Sequence, residues 1–251
     1  MSPRILGSTT KRILNQLRHD HRTIGLLVIV PILLLTLLYF MFKNETLLPG
    51  QPSTFDRIGL IMLGVFPFVI MFLITSIAML RERTTGTLER LLTTPMGKLD
   101  LLFSYGIAFG IAAAIQASIA AGVAYWLFDL ETAGNTSLVI LIAIANAVLG
   151  VALGLFCSAF ARTEFQAVQF MPIVVIPQLL LCGLFVAREQ MAGWLQAISD
   201  ALPMTYAVEA LQQVGAYPDA TDTLWRDLGI VVGCVVVALT LAAATLRRRS
   251  P

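Results

Sequence analysis

The chain has 251 residues, a formal net charge of +2, and a content of 57% hydrophobic and only 13% charged residues. Its mean hydropathy is +0.83. This composition excludes a soluble enzyme, a nucleic-acid-binding protein, a disordered chain and a β-barrel, whose strands are short and alternate in polarity.

Six apolar stretches lie between the charged residues. A helix of roughly 20 apolar residues spans the hydrocarbon core of a bilayer, and each stretch is long enough. The sequence therefore predicts an all-α membrane protein with six transmembrane helices, preceded by an arm over 1–22 and followed by a basic tail over 247–251. The predicted spans are about 23–42, 58–80, 101–128, 136–160, 165–187 and 227–246.

The arm over 1–22 has the pattern of an amphipathic helix. Leu6, Ile13, Leu14 and Leu17 fall on one helical face, and basic or amide residues occupy the rest. This spacing favours an interfacial helix that lies at the membrane surface. A solvated basic lead-in to the first span is the alternative.

The loop between the second and third spans predicts a short amphipathic helix over 81–96. Leu88, Leu91 and Leu92 follow helical spacing, and Pro95 ends the pattern. Two roles remain open for this segment. It is either a plain connector on the membrane surface or a helix that docks into a groove on a partner protein.

The loop after the fifth span predicts a hairpin of two short helices over 190–215. Its two amphipathic stretches are too short to cross a membrane, and Pro203 separates them. Such segments are typical of re-entrant or interfacial half-helices, which cap something beneath them. Glu209, the acid of the second stretch, is either a gate residue or a solvent-facing side chain.

The charges predict the orientation of the chain. The side with both termini carries 13 basic and 5 acidic residues, whereas the opposite side carries 4 basic and 10 acidic residues. Because positive loops stay in the cytoplasm during insertion, both termini and the 81–100 loop are expected inside the cell.

The residues needed for catalysis are missing from the sequence. The two histidines, His19 and His21, both precede the first span, and the phosphate-binding pattern Gly-x-x-x-x-Gly-Lys does not occur. The three cysteines lie in apolar runs and are expected to be core residues. We therefore predict no catalytic residue, metal site or cofactor on this chain, and any ATP is hydrolysed by another chain.

The second and fifth spans combine prolines, aromatic rings and amides. This mixture is typical of a pocket for a large, mainly apolar ligand, although for any single side chain helix packing is the favoured interpretation. The candidate substrate-path residues are Phe66, Phe68, Phe72, Gln169, Met171 and Gln178.

Three segments together resemble the membrane subunits of type-2 ABC exporters, and in particular drug-resistance permeases of the daunorubicin-exporter kind. They are Leu17 to Arg22 with Pro31, Arg81 to Leu91, and Leu202 to Tyr206. The resemblance implies a connecting helix at the arm, a coupling helix over 81–96 and an outer gate in the hairpin. It assigns coupling to Arg81, Glu82, Gly86, Leu88, Glu89, Arg90 and Leu91, and the gate to Pro203, Tyr206 and Glu209.

The same resemblance implies the partners and the function. Two permease chains, identical or different, would assemble with two copies of a separate ATP-binding subunit that carries ATP and Mg²⁺, in a bacterial cell membrane. The expected activity is export of hydrophobic or amphiphilic small molecules such as drugs and antibiotics. The alternatives are export of a lipid or polysaccharide precursor, a facilitator that uses no ATP, and a membrane scaffold.

Overall fold

The structure, a computed structural model, describes residues 3–45, 53–87 and 97–245. Within these ranges the chain forms α-helices and one 3₁₀ helix, Arg188–Gln190, and it contains no strand. The α-helices are α1 (Pro3–His19), α2 (His21–Phe42), α3 (Thr54–Thr84), α4 (Lys98–Leu127), α5 (Thr136–Cys157), α6 (Glu164–Leu181), α7 (Gly193–Ala201), α8 (Pro203–Ala216) and α9 (Asp222–Thr245).

Six of these helices are long and apolar enough to cross a membrane: α2, α3, α4, α5, α6 and α9. This confirms the predicted all-helical fold with six apolar helices. Charge-free runs locate such helices but do not locate their ends. Helix α3 is longer than the predicted 58–80 span because Ser53 and Asp56 form a capping box ahead of it.

Helix α6 ends at Leu181, earlier than the predicted 187. Two residues later Gly183 has a φ of +89°, the left-handed conformation with which many helices end. Glycine adopts this conformation without the steric cost that a Cβ atom imposes. The apolar residues that follow, up to Ala187, therefore connect α6 to the 3₁₀ helix.

The centre of the bundle is the contact between α3 and α5. Gly150 and Gly154 of α5 lie directly against the backbone of α3. A Cβ atom added at Gly150 would lie 2.3 Å from the carbonyl oxygen of Phe68, and one at Gly154 would lie 2.5 Å from that of Phe72. Small residues four positions apart allow two membrane helices to approach this closely.

Two polar side chains lie in the same contact. Asn146, one helical turn before Gly150, donates a hydrogen bond from Nδ2 to the carbonyl oxygen of Gly64 at 3.0 Å. The hydroxyl of Thr75 donates to the carbonyl oxygen of Met71 in its own helix at 2.7 Å and lies 3.4 Å from the carbonyl oxygen of Val151 in α5. Both side chains are fully buried, so the contact is held by close packing and by hydrogen bonds that the bilayer does not weaken by competition.

The other helices surround this central pair. Helices α4, α8 and α9 pack against α5, whereas α2 and α6 pack mainly against α3 and remain largely exposed. From Leu26 to Met41 the exposed side chains of α2 are apolar, as for a helix that faces lipid. They include Leu26, Ile29, Leu33, Leu37, Phe40 and Met41.

The predicted 190–215 hairpin forms α7 and α8. Pro203 occupies the first turn of α8, where its missing N–H leaves no intrahelical bond unmade. The apolar residues predicted for the second stretch are all buried: Ala207, Ala210, Leu211 and Val214. Helix α8 is therefore part of the core and packs on α3, α5 and α9.

Replacing Gly154 by Ala tests the α3–α5 contact. The added methyl group has no space, so we expect a loss of stability of about 1–3 kcal/mol, as for other overpacked cores. Thermal unfolding of the purified chain in detergent measures the effect. Gly233→Ala in α9 is the matched control, because nothing lies within 4 Å of its Cβ position. Equal unfolding temperatures for the two variants would contradict the packing described here.

Candidate functional site

Glu82, one of the predicted coupling residues, points into the bundle. Its side chain is only 7% exposed. The hydroxyl of Tyr105 donates a hydrogen bond to Oε1 of Glu82 at 2.6 Å, and Arg12 Nη2 approaches the same oxygen at 3.5 Å. Glu82 therefore joins α3 to α1 and α4 at the end of the bundle that carries α1, which we call the α1 end.

The neighbouring residues also contact the chain itself. Arg81 makes a two-point ion pair with Glu164 at the start of α6, at 2.7 and 3.1 Å. Arg83 donates to the carbonyl oxygen of Ser158, after the end of α5. The last turn of α3 thus holds the first turn of α6 and the end of α5.

The rest of the predicted coupling helix lies mostly outside the described residues. Gly86 is described and has a φ of +73°, so the backbone turns here in a conformation that suits glycine. Leu88, Glu89, Arg90 and Leu91 belong to the segment 88–96, which is not described. Their role in coupling remains a prediction.

The predicted path residues of α3 differ in exposure. Phe68 and Phe72 are fully buried and lie in the core between α3 and α5. Phe66 is partly buried and packs against the same core. Of the three phenylalanines, Phe66 is the one with exposed surface that a ligand could contact in this conformation. Phe68 and Phe72 pack in the contact between α3 and α5.

The predicted path residues of α6 also separate. Gln178 is buried, donates to the carbonyl oxygen of Val174, and accepts a hydrogen bond from the backbone N–H of Met204 at the start of α8. Gln178 therefore connects α6 to α8. Gln169 is exposed, and Met171 is partly buried against the core.

The exposed face of α6 combines large apolar side chains, among them Phe165, Ile173 and Leu180, with two prolines. Pro172 and Pro177 both lie on it, and each lacks the N–H that would bond the carbonyl four residues earlier, at Val168 and Ile173. These two residues are themselves exposed. In membrane helices, carbonyls that a proline leaves without an intrahelical donor are satisfied by a neighbouring helix, a local change of helix geometry or water.

At the opposite end, which we call the α7 end, charged residues connect four elements. Arg188, in the 3₁₀ helix, pairs with Glu209 of α8 at 2.7 Å and with Asp200 of α7. Arg226 of α9 lies 3.8 Å from the same Glu209. Glu209, predicted as either a gate residue or a solvent-facing one, is thus an ion-pair partner that is 27% exposed.

A cavity of about 520 Å³ opens beside this network, and Tyr206 and Glu209 both line it. The hydroxyl of Tyr206 donates to the carbonyl oxygen of Asp200 at 2.7 Å, which ties α8 to α7. Pro203 starts α8. The three predicted gate residues therefore lie in one short helix at the α7 end.

Sequence reasoning did not identify the buried acid Asp227. Its side chain is fully buried in α9, and its Oδ1 accepts two hydrogen bonds from Arg226 at 2.8 and 3.0 Å. The sequence feature that points to it is the pair Arg226-Asp227 directly before an apolar run. In the described ranges, no group of three or more acidic, histidine or cysteine side chains is arranged to hold a metal ion.

Comparison with known proteins identifies relatives over most of the chain. The sequence profile of the ABC-2 type transporter family matches residues 5–214. The probable multidrug ABC transporter permease YbhR of Escherichia coli is 24% identical over 177 residues, which are 70% of this chain and 48% of that protein.

Two further relatives have narrower names. The linearmycin resistance permease protein LnrN of Bacillus subtilis is 24% identical over 168 residues, 67% of this chain and 43% of that protein. The daunorubicin resistance ABC transporter permease protein DrrB1 of Streptomyces coeruleorubidus is 39% identical over 77 residues, 31% of this chain and 25% of that protein. Each match spans less than half of the relative.

A double-mutant cycle tests the Glu82–Tyr105 contact. Tyr105→Phe removes the donor to a buried carboxylate, and we expect it to lower stability by about 1–3 kcal/mol in thermal unfolding. The double variant Tyr105→Phe/Glu82→Gln should lose less stability than the sum of the losses in the two single variants, because both changes remove the same interaction. Tyr217→Phe, at a tyrosine that is 52% exposed, is the control. Strict additivity would mean that the contact does not form.

Proposed function

Since the chain belongs to the ABC-2 type transporter family, we propose that it is the permease subunit of an ATP-driven exporter. It moves hydrophobic or amphiphilic small molecules out of the cell. The six apolar helices and the permease relatives make it a multi-pass membrane protein. The energy comes from a separate ATP-binding subunit, which holds ATP and Mg²⁺.

The observation that carries this proposal is the exposed face of α6. The freed carbonyls and the amide of Gln169 are polar groups poorly suited to lipid, and among the described residues both prolines and Gln169 are exposed. A second permease chain facing α6 would cover part of this face. A hydrated path between the two chains would supply water to the carbonyls of Val168 and Ile173. We therefore place the substrate path along α6, with Phe66, Gln169 and Met171 at its wall.

The assembly contains two permease chains, identical or different, and two ATP-binding subunits. The ATP-binding subunit docks at the α1 end against the segment 81–96, with Leu88, Glu89, Arg90 and Leu91 as contact residues. Glu82 faces Tyr105 instead, so its part in coupling is to hold α3 on α1 and α4. Closure of the ATP-binding subunits pushes α3, and the path switches from inward-facing to outward-facing.

Helices α7 and α8 close the outer end of this path. Helix α8 packs on α3, so movement of α3 reaches it directly. The ion pairs of Arg188 with Asp200 and Glu209 hold the closed arrangement, and Tyr206 ties the two helices together. Helices α7 and α8 together form a re-entrant hairpin. Helix α1 is an interfacial connecting helix.

The positive charge at the α1 end sets the orientation. We place both termini and the 81–96 segment in the cytoplasm of a bacterial cell, and α7 and α8 on the outside, because basic loops remain in the cytoplasm.

An apolar path with a few amides selects its substrates mainly by hydrophobic contact. Such contacts discriminate weakly, so a range of drugs and antibiotics is expected.

Transport into inside-out membrane vesicles tests the proposed function. Vesicles that contain this chain and its ATP-binding subunit should accumulate a hydrophobic fluorescent dye only when ATP is supplied. Leu88→Asp should lower this uptake by about tenfold or more, because an unpaired carboxylate is costly in a docked interface. Leu48→Asp is the same change in the 43–57 loop, which the charge pattern predicts on the other side of the membrane from the ATP-binding subunit, so uptake should stay within about twofold.

Uptake without ATP, by vesicles that contain this chain alone, would instead identify a passive facilitator. Equal uptake by the two leucine variants would remove the coupling role from the 81–96 segment.

A further inference from the structure

The exposed face of α1 carries a regular stripe of polar and basic residues. Arg4, Ser8, Lys11, Asn15 and Arg18 follow one another at intervals of four and three, so all lie on one side of the helix. All five are exposed. From Arg4 to Arg18 the stripe extends over about 21 Å at the usual helical rise. We call it the α1 stripe.

The apolar face of α1 is already covered by the chain itself. Ile13 is buried, and Leu14 and Leu17 pack against the core formed with α4. The hydroxyl of Ser104 in α4 donates to the carbonyl oxygen of Leu6 at 3.3 Å. Because this face is occupied, α1 reaches any further partner through the α1 stripe.

All charged residues of the α1 stripe are basic. Helix α1 contains no acidic residue. The arginine that faces inward, Arg12, is engaged with Glu82. Within the described residues, Arg4, Lys11 and Arg18 form no ion pair with the chain. A partner for the stripe is therefore anionic.

The position of α1 brings the stripe close to a membrane surface. Only Asp20 separates α1 from α2, a largely lipid-exposed spanning helix that begins at His21. The carboxylate of Asp20 accepts hydrogen bonds from the hydroxyl and backbone N–H of Thr23, at 2.6 and 3.2 Å. These bonds hold the pKa of Asp20 below its usual range, and they commit its charge to the start of α2. Arg18 thus lies about one helical turn from the membrane entry.

We propose that the α1 stripe is a binding surface for anionic phospholipids, with Arg4, Lys11 and Arg18 contacting the phosphate groups of acidic lipids in the leaflet from which α2 enters. An acidic protein surface is the other conceivable partner. The stripe offers it no aromatic or aliphatic anchor, and such anchors dominate protein interfaces. The inference rests on the membrane placement proposed above, but it requires neither transport nor an ATP-binding subunit.

Native mass spectrometry of the purified full-length chain tests this proposal. The chain is exposed in detergent to an equimolar mixture of phosphatidylglycerol and phosphatidylcholine, and the ratio of the two bound lipids is measured. Each basic residue near an anionic surface is worth about fivefold in binding. We expect wild type to prefer phosphatidylglycerol, and Lys11→Gln/Arg18→Gln to lower the ratio by about fivefold or more. Added salt should lower the wild-type ratio, because exposed charges are screened.

Two variants serve as controls. Lys43→Gln/Arg57→Gln removes one lysine and one arginine from exposed sites at the α7 end. Because the acids Glu45, Asp56 and Asp129 lie around Lys43 and disfavour anionic lipid there, this variant should leave the ratio within about twofold of wild type. Lys11→Arg/Arg18→Lys keeps both charges and should keep the preference. All variants change exposed side chains, and size-exclusion chromatography verifies that they fold.

Two results would overturn the proposal. One is an unchanged preference for phosphatidylglycerol in Lys11→Gln/Arg18→Gln; if a co-purifying protein is lost at the same time, the α1 stripe binds a protein partner. The other is an equal loss of preference in Lys11→Gln/Arg18→Gln and Lys43→Gln/Arg57→Gln. Because no ATP is involved, neither result depends on whether the chain is an exporter.

Discussion

The close approach of α3 and α5 is the constraint on which the rest of the structure depends. Gly150 and Gly154 admit the backbone of α3 at Phe68 and Phe72, and Asn146 adds a hydrogen bond to Gly64. In a bilayer, where apolar side chains are as stable in lipid as in a protein core, such packing and hydrogen bonding are what holds helices together. With α5 occupied on its other sides by α4, α8 and α9, helices α2 and α6 remain at the edge.

The rigid α3–α5 pair links the two ends of the bundle. At the α1 end, α3 carries Glu82 against Tyr105 and Arg81 against Glu164. At the α7 end, α3 supports α8, whose Glu209 is paired with Arg188. A displacement of α3 would therefore act on α1, α4 and α6 at one end and on the α7–α8 pair at the other, which is what the coupling proposed above needs.

The sequence predicted the six apolar helices because charged residues are too costly in a membrane to interrupt them. It predicted the break at Pro203 for a similarly local reason, since the ring restricts the backbone. The direction of Glu82 was not predictable. Its partners, Tyr105 and Arg12, are 23 and 70 residues away, and its helical spacing alone fitted a partner-facing role equally well. The spacing of Gly150 and Gly154, which is typical of a close helix contact, is visible in the sequence. Only the fold shows that the helix they face is α3.

We propose that the exposed face of α6 borders a hydrated path and not lipid. Cysteine accessibility tests it directly, with Cys157, Cys182 and Cys234 first replaced by Ala. Ile173→Cys in α6 is compared with Leu33→Cys in α2, because both wild-type side chains are exposed near the middle of their helices. A charged, membrane-impermeant thiol reagent reacts with thiolate in water. We expect the reagent to modify Ile173→Cys in the assembled transporter and to leave Leu33→Cys intact. If neither cysteine reacts, α6 faces lipid as α2 does, and the proposed path is wrong.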